Sequence, residues 1–254
     1  MDNEITVWNK VMGAALNMPG VQVNREEFLG KTLSNYVVST KDMEKAIKTC
    51  PQMVIDKCVL SNIADKIIGS HLKRVSALSF ASGLPGGWWI AATVPADLAQ
   101  YYYHTLVVSQ KLAYLYGIPS LCDERGELTD EAIDLMTVFV GVMSGVGAAN
   151  NALKTVSQKF AEQIGKRLPK YALTKSFIYP VAKQVAKWLG VSLTKASFSK
   201  GVAKVIPILG GIISGSVTYF AFKRETKRLK KQLSENMDVY ASAYKKQETS
   251  NGYA

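Results

Sequence analysis

Cysteine and histidine are scarce in this chain, three of one and two of the other in 254 residues. Cys50, Cys58 and Cys122 are an odd set without a CxxC pair, and only His71 and His104 could join them. That composition excludes a disulfide framework and gives no basis for a structural metal site or a cofactor. No basic start followed by an apolar segment opens the sequence. Met1-Asp2-Asn3-Glu4 is opposite in sign to a signal-peptide n-region, and the expectation is a protein made and kept in the cytosol with reduced thiols. Gly-x-Ser-x-Gly, the P-loop, Gly-x-Gly-x-x-Gly and His-Glu-x-x-His are all absent. Alternating strand patterns of useful length are missing too, although the β-branched stretch 138–142 could mislead a propensity count.

What is present is apolar and helical. Nearly half the residues are hydrophobic and a fifth are charged, with mean hydropathy just above zero. Three stretches, 75–96, 135–153 and 205–222, carry no charge, and each holds two glycines four positions apart: Gly83 and Gly87, Gly141 and Gly145, Gly211 and Gly215. Such lengths approach what a membrane-spanning helix needs, and a small-xxx-small pair lets helix backbones approach closely in lipid or in a soluble core. Each run is flawed as a span, by Pro85 and Pro95, by Asn150 and Asn151, and by Pro207.

Local signals divide the rest into helices. Ile5, Trp8, Met12, Ala15 and Leu16 repeat at helical spacing and end at Met18-Pro19-Gly20. Asn24 with Glu27, and Ser39 with Asp42, make capping boxes. Pro51 suits the first turn of a helix continuing through Val54 to Ile67. Loops are expected at 84–87 and 117–128, and Thr129 starts a helix with Asp130 and Glu131 in its first turn. The expected fold is all-α, a single bundle with glycine-rich apolar central helices and a long basic C-terminal helix. It covers residues 1–246, with amphipathic helices over 1–59, a core over 60–235 and a disordered tail over 247–254.

Charge is unevenly spread. The net charge is +11, and residues 154–204 alone contribute +10, with eleven Lys or Arg against the single acid Glu162. Lysine predominates there, with Arg167 the sole arginine, and no nucleic-acid-binding module is visible, so nucleic acid is not an expected partner. An anionic membrane surface is the expected one. Lys175, Lys183, Lys187, Trp188 and Lys195 are its candidate contacts. Over 180–189 the pattern sets Val181, Val185, Trp188 and Leu189 on one side and Lys183 with Lys187 on another, the make-up of an interfacial helix.

Asp97 is the only Asp, Glu, Lys or Arg between Val75 and Gln110. With Pro95 at the first position of a helix and Asp97 at the third, its carboxylate would cap exposed backbone amides at the helix start; as a buried acid it could act with His104, seven residues along the same face.

The order Gly86-Gly87-Trp88-Trp89, Pro95-Ala96-Asp97, Tyr116-Gly117 and Pro207-Ile208-Leu209-Gly210-Gly211 resembles the EcsC protein family, bacterial proteins named for a companion of an ABC-transporter operon. The resemblance covers about residues 60–235. It implies a membrane-associated helical protein on the inner face of the membrane, with a membrane protein complex such as a transporter as a partner, and it supplies no catalytic residues. The leading reading is therefore a non-enzymatic interaction protein that docks on the cytoplasmic leaflet through the Lys-rich segment and partly inserts apolar helices. Two alternatives stand beside it: an enzyme acting on a lipid or other apolar substrate near Asp97 and His104, and a soluble helical protein-binding module. Oligomeric state is not encoded in any of these features.

Overall fold

A computed structural model describes the backbone of residues 2–83, 90–164, 182–188 and 207–251, and side chains over 8–80, 98–162, 164, 182–188 and 215–249. The described chain is all-α. Its helices are α1 (Asp2–Leu16), α2 (Arg25–Leu33), α3 (Thr40–Lys48), α4 (Lys57–Gly83), α5 (Ile90–Leu115), α6 (Asp130–Ser144), α7 (Gly147–Gln163), α8 (182–188) and α9 (Pro207–Asn251). Among the described residues the nearest thing to a sheet is an isolated antiparallel bridge between Cys122 and Leu128.

Starts and stops follow local chemistry. Asn24 Oδ1 accepts the Glu27 amide at 3.0 Å, Ser39 Oγ the Asp42 amide at 3.4 Å, and Thr129 Oγ1 the Ala132 amide at 3.2 Å. Each satisfies an amide that the first helical turn leaves open. Gly145 ends α6 at φ 85°, with its amide donating to the Gly141 and Val142 carbonyls, and Arg228 of α9 donates to the Met143 carbonyl at 3.2 Å.

Buried helix α5 stands at the centre and touches α1, α2, α4, α6 and α9. Its residues Leu106, Val108, Leu112, Ala113, Tyr114 and Leu115 are fully enclosed. Trp8 of α1 packs edge-on to Tyr102 at 5.2 Å between ring centroids. The most extensive helix pair is α4 with α9. Ion pairs Lys230–Asp65 (2.7 Å), Lys57–Asp238 (2.6 Å) and Lys45–Glu248 (2.9 Å) run along α9 and set its antiparallel register against α4 and α3. Apart from the mostly covered Lys230, these side chains are exposed to solvent, and the pairs select register more than they add stability.

Several expectations need correction. The helix expected from Pro51 is interrupted: Pro51–Met53 form one 3-10 turn, and α4 begins only at Lys57. The apolar stretch 135–153 folds as two helices because Gly145 adopts a left-handed conformation between them. Helix α5 starts at Ile90, five residues before Pro95, so Asp97 lies in its interior where amides are already engaged, and the capping reading fails. At the other end, α9 continues to Asn251, into the expected tail, helped by the Glu248–Lys45 pair and by Thr249 donating back to the Lys245 carbonyl at 2.9 Å. In keeping with the flaws noted in each apolar run, no helix of the described residues is long and apolar enough to cross a membrane.

Candidate functional site

Two features stand apart from ordinary packing: a basic cleft between α2, α4 and α5, and an apolar surface where α4 crosses α9.

The cleft is built on a tethered loop. Gln110 of α5 is fully buried; its Nε2 donates to the Val21 carbonyl at 2.7 Å and to Leu106 at 3.1 Å, while its Oε1 accepts the Val23 amide at 3.1 Å. Arg25 fixes the far side of the same segment. Its guanidinium donates to the carbonyls of Ile118 (3.1 Å), Thr49 (2.9 Å) and Ile47. Burial presses the Arg25 pKa below its ordinary value, yet these acceptors satisfy the charge's donors. With the α1–α2 loop held in this way, a cleft of about 300 Å³ opens between Val23, Glu27, Lys31, His71, Arg74 and Lys111, with His104 also on its wall.

The chain's two histidines meet there. His71, 4% exposed, and His104, 6% exposed, face each other with 3.3 Å between their Nδ1 atoms, and Lys111 Nζ lies 3.2 Å from His71 Nε2. An ammonium only donates. His71 Nε2 therefore accepts, its proton sits on Nδ1 and is given to His104 Nδ1, and the proton of neutral His104 is left on Nε2. This assignment follows from the donor chain. Burial, then Lys111, His104 and Arg74, push the His71 pKa down to about 3. His104 is lowered by burial, Arg74 and Lys111, and Lys111 by burial, Arg74 and Lys31. Both rings are thus neutral donors and acceptors at neutral pH. Among the described residues no group of three His, Cys, Asp or Glu could hold a metal.

The second feature is apolar. Gly215 of α9 sits against Phe80 and the Ser76 carbonyl of α4; a Cβ there would lie 3.3 Å from Phe80 Cβ. Around this crossing Leu78 and Phe80 are exposed, as are Val217 (55%) and Phe220 (68%). Arg224 and Lys227, a turn or two farther along α9, are exposed cations.

The sequence-selected residues distribute as follows. Lys183, Lys187 and Trp188 are exposed on α8, whereas Ala182, Val185 and Ala186 are buried. Trp188 is therefore exposed although it lies three residues from buried Val185. Lys175 and Lys195 lie outside the described residues. Gly141 is a close approach: a Cβ would stand 2.8 Å from Val185 Cγ1 and 2.9 Å from Ala149 Cβ. Gly145 faces the Arg228 guanidinium, but its backbone conformation is what calls for glycine. Tyr116 is buried, and Gly117 turns the chain at φ 98° against Gln52 and Cys50. Gly83 closes α4, Pro95 and Asp97 lie in α5, and Pro207, Gly210 and Gly211 open α9; their side-chain surroundings, with Gly86 and Gly87 altogether, lie outside the described residues.

His104 pairs with His71, a partner the Asp97–His104 reading did not foresee. The cleft residues His71, Arg74, Lys31 and Lys111 were passed over singly. Their signal was modest: His71 and Arg74 are three apart, His104 and Lys111 seven apart, each pair on one helix stripe. Comparison with protein-family models, curated proteins and solved structures finds no match. The EcsC resemblance therefore rests on its motif series alone.

Proposed function

We propose that this protein is a membrane-associated interaction protein, non-enzymatic, that docks peripherally on an anionic bilayer. The observation that carries this reading is the cluster of exposed apolar side chains at the α4–α9 crossing, Leu78, Phe80, Val217 and Phe220, with Arg224 and Lys227 beside it. Scattered surface hydrophobics are ordinary, but four exposed ones gathered around one helix crossing, with exposed cations a turn or two along α9, suit an interface. An anionic bilayer matches both halves, since acyl chains take the rings and headgroups take the charges. Exposed Lys183, Lys187 and Trp188 add a second contact of the same composition. Shallow insertion suits a protein in which no described helix is both long and apolar enough to span. The EcsC-like motif series implies the same location, on the inner face of the membrane beside a transporter-like complex.

The test is Val217→Asp with Phe220→Asp, both at exposed positions. Burying such a side chain contributes on the order of 1.5–3 kcal/mol, so flotation with anionic vesicles should weaken at least tenfold while the helical circular-dichroism signal persists. Undiminished flotation of the folded double variant would exclude this crossing as the docking face.

A further inference from the structure

Three basic side chains, Lys31 of α2, Arg74 of α4 and Lys111 of α5, line the cleft, against one carboxylate, Glu27. Among the described residues none of the three cations has a carboxylate within ion-pair distance, and Lys111 donates instead to a neutral imidazole. Like charges gathered on three different helices repel one another in a partly enclosed site, and an external anion relieves that repulsion. The donor relay from Lys111 through His71 leaves His104 with a proton on Nε2, and that proton is given to no acceptor among the described residues.

We propose that this cleft binds a phosphate group, with Lys31, Arg74 and Lys111 as counter-charges and His104 Nε2–H as a neutral donor. A tetrahedral dianion offers more acceptor atoms and charge than a carboxylate, and guanidinium and ammonium together suit it. The volume of about 300 Å³ exceeds a bare phosphate and leaves space for the group esterified to it. Glu27 on the cleft wall, a carboxylate that can only accept, disfavours a further negative charge beside it and so favours a monoester over a polyphosphate. The same chemistry is presented by a soluble phosphomonoester and by a lipid headgroup. Leu78 lies seven residues beyond His71 on the same stripe of α4, about 10 Å along the axis, so the exposed apolar surface is within reach of the cleft.

Two histidines make a clean probe. In the 254-residue chain at fixed pH, inorganic phosphate is titrated while both imidazole signals are followed by NMR, with chloride matched for ionic strength. Saturable shifts of both rings under phosphate, absent under chloride, are expected, and Arg74→Gln or Lys31→Gln should each weaken the apparent affinity at least tenfold. Both positions are exposed, so the fold does not depend on them. A second arm compares vesicles containing phosphatidate with vesicles containing phosphatidylserine. Loss of phosphatidate flotation alone in Arg74→Gln would assign the phosphate to a lipid headgroup; phosphate shifts without phosphatidate preference would assign it to a soluble ester. Equal shifts under chloride and phosphate, or unchanged affinity in both variants, would overturn the site. Flotation on phosphatidylserine vesicles by a protein whose histidines ignore phosphate would overturn the cleft while leaving membrane docking intact.

Discussion

At the scale of single residues, His71 has a measurable thermodynamic consequence. Its folded pKa of about 3 lies far below the ordinary value of 6.5, because burial, Lys111, His104 and Arg74 all oppose a second charge. As pH falls below about 6.5 the unfolded chain binds a proton that the folded chain refuses, so stability is lost with falling pH and is insensitive to this group above 7. Between pH 7 and 5.5 the loss amounts to about 1 kcal/mol. His71→Gln keeps a hydrogen-bonding side chain without this titration, so denaturant melts should show a flatter pH profile for the variant by about that amount. Identical profiles would mean that His71 titrates normally in the folded protein. Neither histidine could be paired from sequence, since the contact joins residues 33 positions apart across two helices. Asn24, Ser39 and Thr129 were legible as caps because each acts on an amide three residues away.

At the scale of elements, the glycines divide by what surrounds them. Gly141 lies where α6 meets Val185 of α8 and Ala149 of α7, with no room for a methyl group. Gly69 sits inside α4 with nothing within 4 Å of a built Cβ. Gly141→Ala should therefore destabilise by about 1–3 kcal/mol through overpacking, while Gly69→Ala should stabilise by up to about 1 kcal/mol through helix propensity alone. Thermal melts of the two variants should move in opposite directions. Shifts of the same sign would mean that spacing in sequence says more than contact does. The pairwise spacing of glycines located Gly141 and Gly215, where the contacts are tight, but not Gly145, whose role is a left-handed helix stop. Helix boundaries set by long-range packing were the least legible. Nothing near Ile90 announces that α5 begins before Pro95, and nothing near Gln247 announces that α9 continues, because Glu248 is held by Lys45 of a distant helix.

At the scale of the whole molecule, an all-α bundle held by α5 and the α4–α9 pair carries exposed apolar residues beside cations at one crossing, and a further lysine–tryptophan face on α8. The fold class followed from the absence of alternating strands and the abundance of caps. The basic cleft did not, since it draws single residues from α2, α4 and α5. The excess charge of the chain acts over a Debye length of about 8 Å at physiological salt, so an attraction to anionic headgroups must be strongest at low ionic strength. Lys183→Glu with Lys187→Glu alters the charge by −4 at two exposed positions, and at about 1 kcal/mol per charge near the surface this exceeds tenfold in affinity even after a large discount for distance. The direct measurement is co-flotation of wild type and double variant with phosphatidylserine-containing and neutral liposomes at two salt concentrations. Wild type should float with the anionic vesicles, less so at high salt, and the variant at least tenfold more weakly. Wild type that stays in the soluble fraction with anionic vesicles at low salt would contradict membrane docking outright.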